Sequence, residues 1–380
     1  MVRNILASFV AVIGLVALYL IWTPAKSSRP ARPPATAPSL KIAPTSDALS
    51  FARLGKQTIA VSSYANGRIT GLPIGNSGED AISLVNRLGY DGVRALIAAG
   101  GTPVTADVAD LAVPVDLRDQ HIAAGTNYRE HAEEATVDGG PFLFVKYVTP
   151  TSSRASVAAG DALLDYEVEL CLVPLAPART DQAATGGLML CNDVTDRATL
   201  MRNVDPERPE SGKGFTSGKS APGYLPVGEL FIVPRDLDRF VSGVTLQLSV
   251  NGQERQRTEA KMWIWDLTRI LAEAGAMRGR EWAYWGGTAR LPFDADGKVP
   301  ARTLILAGTP GGTVFAGIDA RAIGRGLVKW LAGGWGTSFT THVIESQIAL
   351  EKQQQRYLQP GDRMTIQVDR LGSLDNLIVK

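Results

Sequence analysis

Carboxylates recur at every second position in the stretch "DYEVELCLV", residues 165–173. On an extended strand, residues two apart share a face. Asp165, Glu167 and Glu169 therefore stand side by side, where like charges repel. A water-facing strand would dilute that repulsion, and a bound cation would remove it. Asp193 adds weight to the cation, because it ends another apolar run, "LMLCNDV". Antiparallel pairing with Glu169 opposite Asp193 brings Glu167, Glu169 and Asp193 together. Such an all-oxygen set suits a hard divalent cation, Mg²⁺ first and Mn²⁺ or Ca²⁺ as alternatives. The same register puts Cys171 opposite Cys191, with Cα atoms about 4.5–5.5 Å apart. A disulfide tolerates that spacing. The expectation is nevertheless two neighbouring free thiols, since unpaired cysteine commonly packs as a small hydrophobe.

The rest of the chain must position these acids. Residues 5–22 carry no charge over roughly 18 positions, the lower limit for a membrane-spanning helix. Tyr19 and Trp22 sit near one end, as interfacial aromatics do. Residues 1–22 are therefore read as an uncleaved single-pass anchor at the cell membrane, with the body outside the cytoplasm. Residues 23–48, rich in Pro, Ala and Ser, form an extended tether. Residues 49–116 read as a small α+β domain, with a hairpin turning at Asn66-Gly67 and two short helices each stopped by glycine. Residues 117–380 are mostly strand-like runs with few helices. The fold class is therefore α+β, not an alternating βαβ fold. Residues 316–356, with Trp330 and Trp335 among glycines, read as an insertion. A net charge of +1 gives no basic stripe for nucleic acid. Two cysteines exclude a disulfide-rich scaffold and a cysteine-based zinc site.

The motifs resemble those of the fumarylacetoacetate hydrolase family. "GTNYREHAEE" (residues 125–134) is similar to its G-x-N-Y-x-x-H-x-x-E, and "DYEVEL" and "NDVTDR" to its metal strands. "GKSAPGYLPVGE" resembles its lysine segment. "VNGQERQ", "AGTPGG" and "YLQPGDRMTIQVDRLGSLDN" follow in the family's order. The resemblance spans about residues 51–379. It implies a mixed β-sandwich or roll as catalytic domain, and a homodimer. It assigns Glu167, Glu169 and Asp193 as metal ligands and His131 with Glu134 as the catalytic pair. Three residues apart on a helical turn, those two share a side. The carboxylate would orient the imidazole and raise its basicity towards water. His121 and His342 take structural or surface roles. Lys219 would stabilise developing negative charge, and Arg197 and Thr309 would bind substrate. The sequence departs from the family at Leu200, where a Gln is common, and at Pro222, where an Asp is common.

The resemblance implies a metal-dependent hydrolase that cleaves a carbon–carbon bond in a small 1,3-dicarbonyl or acylpyruvate-type keto acid. A His131-activated water would attack the distal carbonyl, leaving an enolate that the cation and Lys219 stabilise. The same site could serve a decarboxylase or keto–enol isomerase. A tethered ligand-binding module without turnover is a third reading.

Overall fold

The computed structural model describes residues 39–135 and 139–380. The expected anchor and residues 23–38 of the expected tether lie outside them. Among the described residues, no helix is long and apolar enough to cross a membrane.

An 11-stranded sheet forms the spine. Its path starts at the edge strand Val104–Asp107 and runs through Arg68–Ile74, Gln57–Ala65 and Ala48–Leu54. It continues through Phe231–Pro234, Gly187–Asn192, Val168–Val173, Ile305–Leu306 and Gln120–Gly125 to Phe142–Tyr147, and the eleventh strand, Leu111–Ala112, pairs with Ala48–Leu54 off this path. Residues 49–116 thus extend the same sheet as the catalytic region. Phe51 lies opposite Phe231, and Leu49 and Phe51 share one buried core with Leu170 and Leu190. The edge of the larger sheet gives this short hairpin the pairing that an isolated hairpin lacks. Within it, Asn66 (φ 52°) and Gly67 (φ 70°) make the turn expected of Asn-Gly. Asp80 caps the helix Ala81–Ala98 by accepting from the Ser83 N–H, and Gly89, with φ 70°, breaks that helix in two.

A second sheet holds the strands Gln253–Glu259, Thr245–Val250, Arg363–Val368, Gly372–Val379 and Val157–Ala158. Gln256 ties it to the first sheet, because its Oε1 accepts from the Val168 N–H at 2.9 Å. The stretch 316–356 folds as two helices, Ala320–Leu331 and Phe339–Gln354. Glu345 pins this hairpin to the helix Arg197–Asn203 through Arg202, at 2.7 Å. Trp330 packs against Phe339 with ring centroids 6.3 Å apart, while Trp335 is exposed.

Pairing of Val168–Val173 with Gly187–Asn192 differs from the expected register by two residues. Glu169 faces Cys191, and Cys171 faces Met189. Local hydrogen bonds impose the shift: Asn192 Oδ1 accepts from the Glu167 N–H, and the Asp193 N–H donates to the Glu167 carbonyl. A shift by an even number keeps every side chain on its face, so the acids still meet. It makes Cys171 and Cys191 diagonal neighbours, with Cα atoms 6.1 Å apart, and they form a disulfide where free thiols were expected. That separation lies inside the range such a bond tolerates.

His121 is fully buried and holds the sheet together. Its Nδ1 accepts from the Leu304 N–H and its Nε2–H donates to the Val148 carbonyl, each at 3.2 Å. Burial, aided by nearby Lys146, lowers its pKa from 6.5 to about 3. Because the folded value lies below the unfolded one, the neutral ring contributes stability that is complete above about pH 6.5. That contribution is lost as pH falls from there towards about 3. Denaturant unfolding between pH 7.5 and 4 should show a declining stability in the native chain. The decline should be shallower in His121→Gln, by up to ~1.4 kcal/mol per pH unit. Equal slopes would remove His121 from this role.

Candidate metal and active site

The site lies where the strand Val168–Val173 begins. Glu167, Glu169 and Asp193 are all buried, and each offers an oxygen within 4.8 Å of those of the other two. Lys219 ends the short helix Phe215–Lys219. Its Nζ donates to Glu167 Oε2 at 2.7 Å and to Asp193 Oδ2 at 2.8 Å. Arg197 opens the helix Arg197–Asn203 and donates to Glu167 Oε1 at 2.6 Å and to Asp165 Oδ2 at 2.9 Å. Asp165 thus serves as the Arg197 anchor. It also accepts from the Val314 and Phe315 N–H groups.

Sequence reading passed over Lys146. It sits in the apolar strand Phe142–Tyr147, is completely buried and donates to Asp193 Oδ1 at 2.5 Å. Its other recorded bond goes to the Lys219 carbonyl. The available signal was a lone charge in the run "FLFVKYV", which needs a buried partner.

Charge balance tests whether a cation fits. Four buried carboxylates (Asp165, Glu167, Glu169, Asp193) meet three buried basic groups (Lys146, Arg197, Lys219), so with every group ionised one negative charge would be left over. The deficit falls on Glu169. Burial acts first, then Asp193 and Glu167, and together they push its pKa well above 4.5 although it accepts from the Gly308 N–H at 2.7 Å. Glu167 goes the other way: burial opposes its charge, but Lys219 and Arg197 outweigh that and bring it to about 2. Lys219 is likewise held charged against its burial by Asp193 and Glu167. A divalent cation at Glu167, Glu169 and Asp193 would leave one net positive charge, which a keto monocarboxylate would neutralise. The donor set fits such an ion in ligand type and number.

His131 lies on the helix Arg129–Ala135 and is buried, and its Nδ1 has no hydrogen-bond partner among the described residues. Burial, then the nearby Arg197 and Lys219 charges, lower its pKa from 6.5 to about 4, although Glu167 works the other way. The ring is therefore neutral at pH 7 and able to accept a proton. Glu134 accepts from the Gly312 N–H at 2.8 Å and so braces the turn "AGTPGG". In that turn Gly308 has φ 89°, and a Cβ there would come within 2.8 Å of Asn127 Cβ. Asn127 fixes the approach to the His131 helix by bonding Trp265 and the Ala307 carbonyl. Thr309 donates to the Val168 carbonyl and accepts from Gln256.

His131, Glu167, Arg197, Lys219 and Thr309 line one cavity of about 420 Å³, a volume typical of small-molecule sites. A buried acidic trio that could hold a divalent cation lies beside a histidine and a lysine that line a small-molecule-sized cavity on a mixed β scaffold. The chain belongs to the fumarylacetoacetate hydrolase family: residues 120–379 match the family described as "Fumarylacetoacetate (FAA) hydrolase C-terminal".

A probable 2-hydroxyhepta-2,4-diene-1,7-dioate isomerase from Mycobacterium abscessus has a similar fold, with TM-score 0.54 and 20% identity over 87% of this chain and 98% of its own. Maleylpyruvate hydrolase from Sphingobium sp. SYK-6, solved with manganese (II) and pyruvate, has TM-score 0.52 and 17% identity over 87% and 99%. An uncharacterised protein of Staphylococcus aureus (strain USA300) is 24% identical over 277 residues, covering 70% of this chain and 71% of its own.

Proposed function

We propose that this chain is a divalent-metal-dependent hydrolase that cleaves the carbon–carbon bond between the acyl group and the pyruvate part of an acylpyruvate-type keto acid, with Mg²⁺ or Mn²⁺ as the ion. The observation that carries the reading is the buried trio Glu167, Glu169 and Asp193, whose oxygens lie within 4.8 Å of one another, with Glu167 opening onto one cavity beside His131 and Lys219. Manganese and pyruvate in the similar hydrolase support it.

Glu167, Glu169 and Asp193 would hold the cation. When bound, it supplies Lewis acidity to the α-keto and carboxylate oxygens of the substrate. His131 takes a proton from water at a ring nitrogen, and the water oxygen bonds to the acyl carbon. The bond from that carbon to the neighbouring CH₂ then breaks, and its electron pair stays on the pyruvate part. Lys219 holds positive charge beside this developing anion. A proton returned to the CH₂ carbon completes pyruvate, and the acyl part leaves as a carboxylic acid. Thr309 and Arg197 shape the wall against which the acid group lies.

A second reading is keto–enol isomerisation or decarboxylation on the same site, reactions that do not need a water-activating base. Incubation of the metal-loaded protein with an acylpyruvate, followed by product analysis, separates the two. Pyruvate plus the free acid in equal amounts is expected. Carbon dioxide release or a rearranged isomer would support the second reading.

We also place the body outside the cytoplasm, tethered through residues 5–22, and as a homodimer. The Cys171–Cys191 bond supports that compartment, since disulfides persist in oxidising surroundings. Thiol titration of unreduced, denatured protein from its native host should find no free thiol. Two free thiols would remove this support.

A further inference from the structure

Away from the metal-binding trio, the cavity changes character. Leu200, Met201 and Val204 form one wall. Ile323, Phe339 and Val343 of the helical hairpin line the cavity as well. Ile323 and Phe339 are also partly exposed, at 37% and 38%, so they mark the mouth. Among the described lining residues the cations are Arg197 and Lys219, and both are engaged by Asp165, Glu167 and Asp193. A second carboxylate on the distal part of a substrate would therefore enter an apolar channel with no cation free to meet it, at a desolvation cost. An alkyl or aryl chain would instead gain by burial along the same walls.

We infer that the substrate is a monocarboxylic keto acid whose acyl tail is apolar and several carbons long, and that the hairpin 316–356 is its specificity element. This deepens the reading above and rests on it for the position of the keto-acid head. His131 and the mouth residues Ile323 and Phe339 line the same cavity, so a tail attached to the acyl carbon has room to extend along it. Leu200 lies against Gly218, the residue before Lys219, and puts an apolar side chain on that wall where a hydroxyl or carboxylate would find no partner. Hydrolysis would release pyruvate and an apolar carboxylic acid.

Binding of 2-oxo acids to the Mn²⁺-loaded protein tests the tail apart from turnover. The ladder is pyruvate, 2-oxobutanoate, 2-oxohexanoate and 2-oxooctanoate, with 2-oxoglutarate as the dicarboxylate control. Kd should fall along the ladder by roughly fourfold per added methylene, and 2-oxoglutarate should bind more weakly than 2-oxohexanoate. In Ile323→Arg and Phe339→Arg, both at the exposed mouth, the long end of the ladder should flatten while pyruvate binding stays unchanged. A flat ladder in the native chain, or 2-oxoglutarate as the tighter ligand, would overturn the inference. Absence of binding by every 2-oxo acid would overturn it too. A flat ladder with acylpyruvate turnover leaves the proposed reaction standing. A steep ladder without turnover removes the reaction and keeps the apolar channel.

Discussion

Glu169→Gln is expected to weaken Mn²⁺ and Mg²⁺ binding by more than about 100-fold, since even partners that merely orient metal ligands contribute 10–100-fold. The amide retains an oxygen to accept the Gly308 N–H, so the fold persists. It also removes the charge that Asp193 and Glu167 oppose. The metal-free variant should therefore be at least as stable as the metal-free native chain. Losing ion affinity without losing stability separates a ligand from a structural acid. Calorimetric titration and denaturant unfolding measure the two halves. Unchanged metal affinity would take Glu169 out of the site. Lower metal-free stability would show that its charge is already balanced.

His131→Ala should bind the metal with near-native affinity and lose hydrolysis by roughly 10²–10⁴, the usual contribution of a general base. His131 lines the cavity, while the acids that gather within 4.8 Å of one another are Glu167, Glu169 and Asp193. The loss should appear in kcat more than in KM. If decarboxylation or isomerisation proceeds at native rate in the variant, the base belongs to the hydrolytic reading alone and the second reading gains. Native-rate hydrolysis would dismiss His131 as the base.

Much of this site was legible in the sequence because period-2 alternation is a local property. Glu167 and Glu169 declare a shared face wherever the strand is placed, and an even register shift cannot move them off it. The register was not legible. It depends on Asn192 and Gln256 reaching the backbone of residues 167 and 168, and the second of these contacts joins residues 88 apart. The cysteine bond followed from that shift. Lys146 stayed hidden because a single lysine in an apolar strand looks the same whether its partner is water or Asp193. Glu134 makes a contact that its i, i+3 spacing does not announce: its carboxylate accepts from the Gly312 amide, far along the chain. The apolar channel depends on a helical hairpin folding back over Leu200, which no local pattern announces. The turn at Asn66-Gly67 was legible, but the region holds three successive antiparallel strands rather than two. Their membership of the larger sheet lay in the pairing of Phe51 with Phe231.

The most direct test is a crystal of the protein grown with Mn²⁺ and oxalate, a planar stand-in for the enolate of pyruvate, with the metal located by its anomalous scattering. One Mn²⁺ is expected, bound by single oxygens of Glu167, Glu169 and Asp193 and chelated by both oxalate carboxylates. Lys219 should lie beside the oxalate, and the apolar channel should open beyond it. Manganese bound elsewhere, or an ammonium of Lys219 still filling the space between Glu167 and Asp193 with no metal present, would contradict the metal site at the centre of the proposed chemistry.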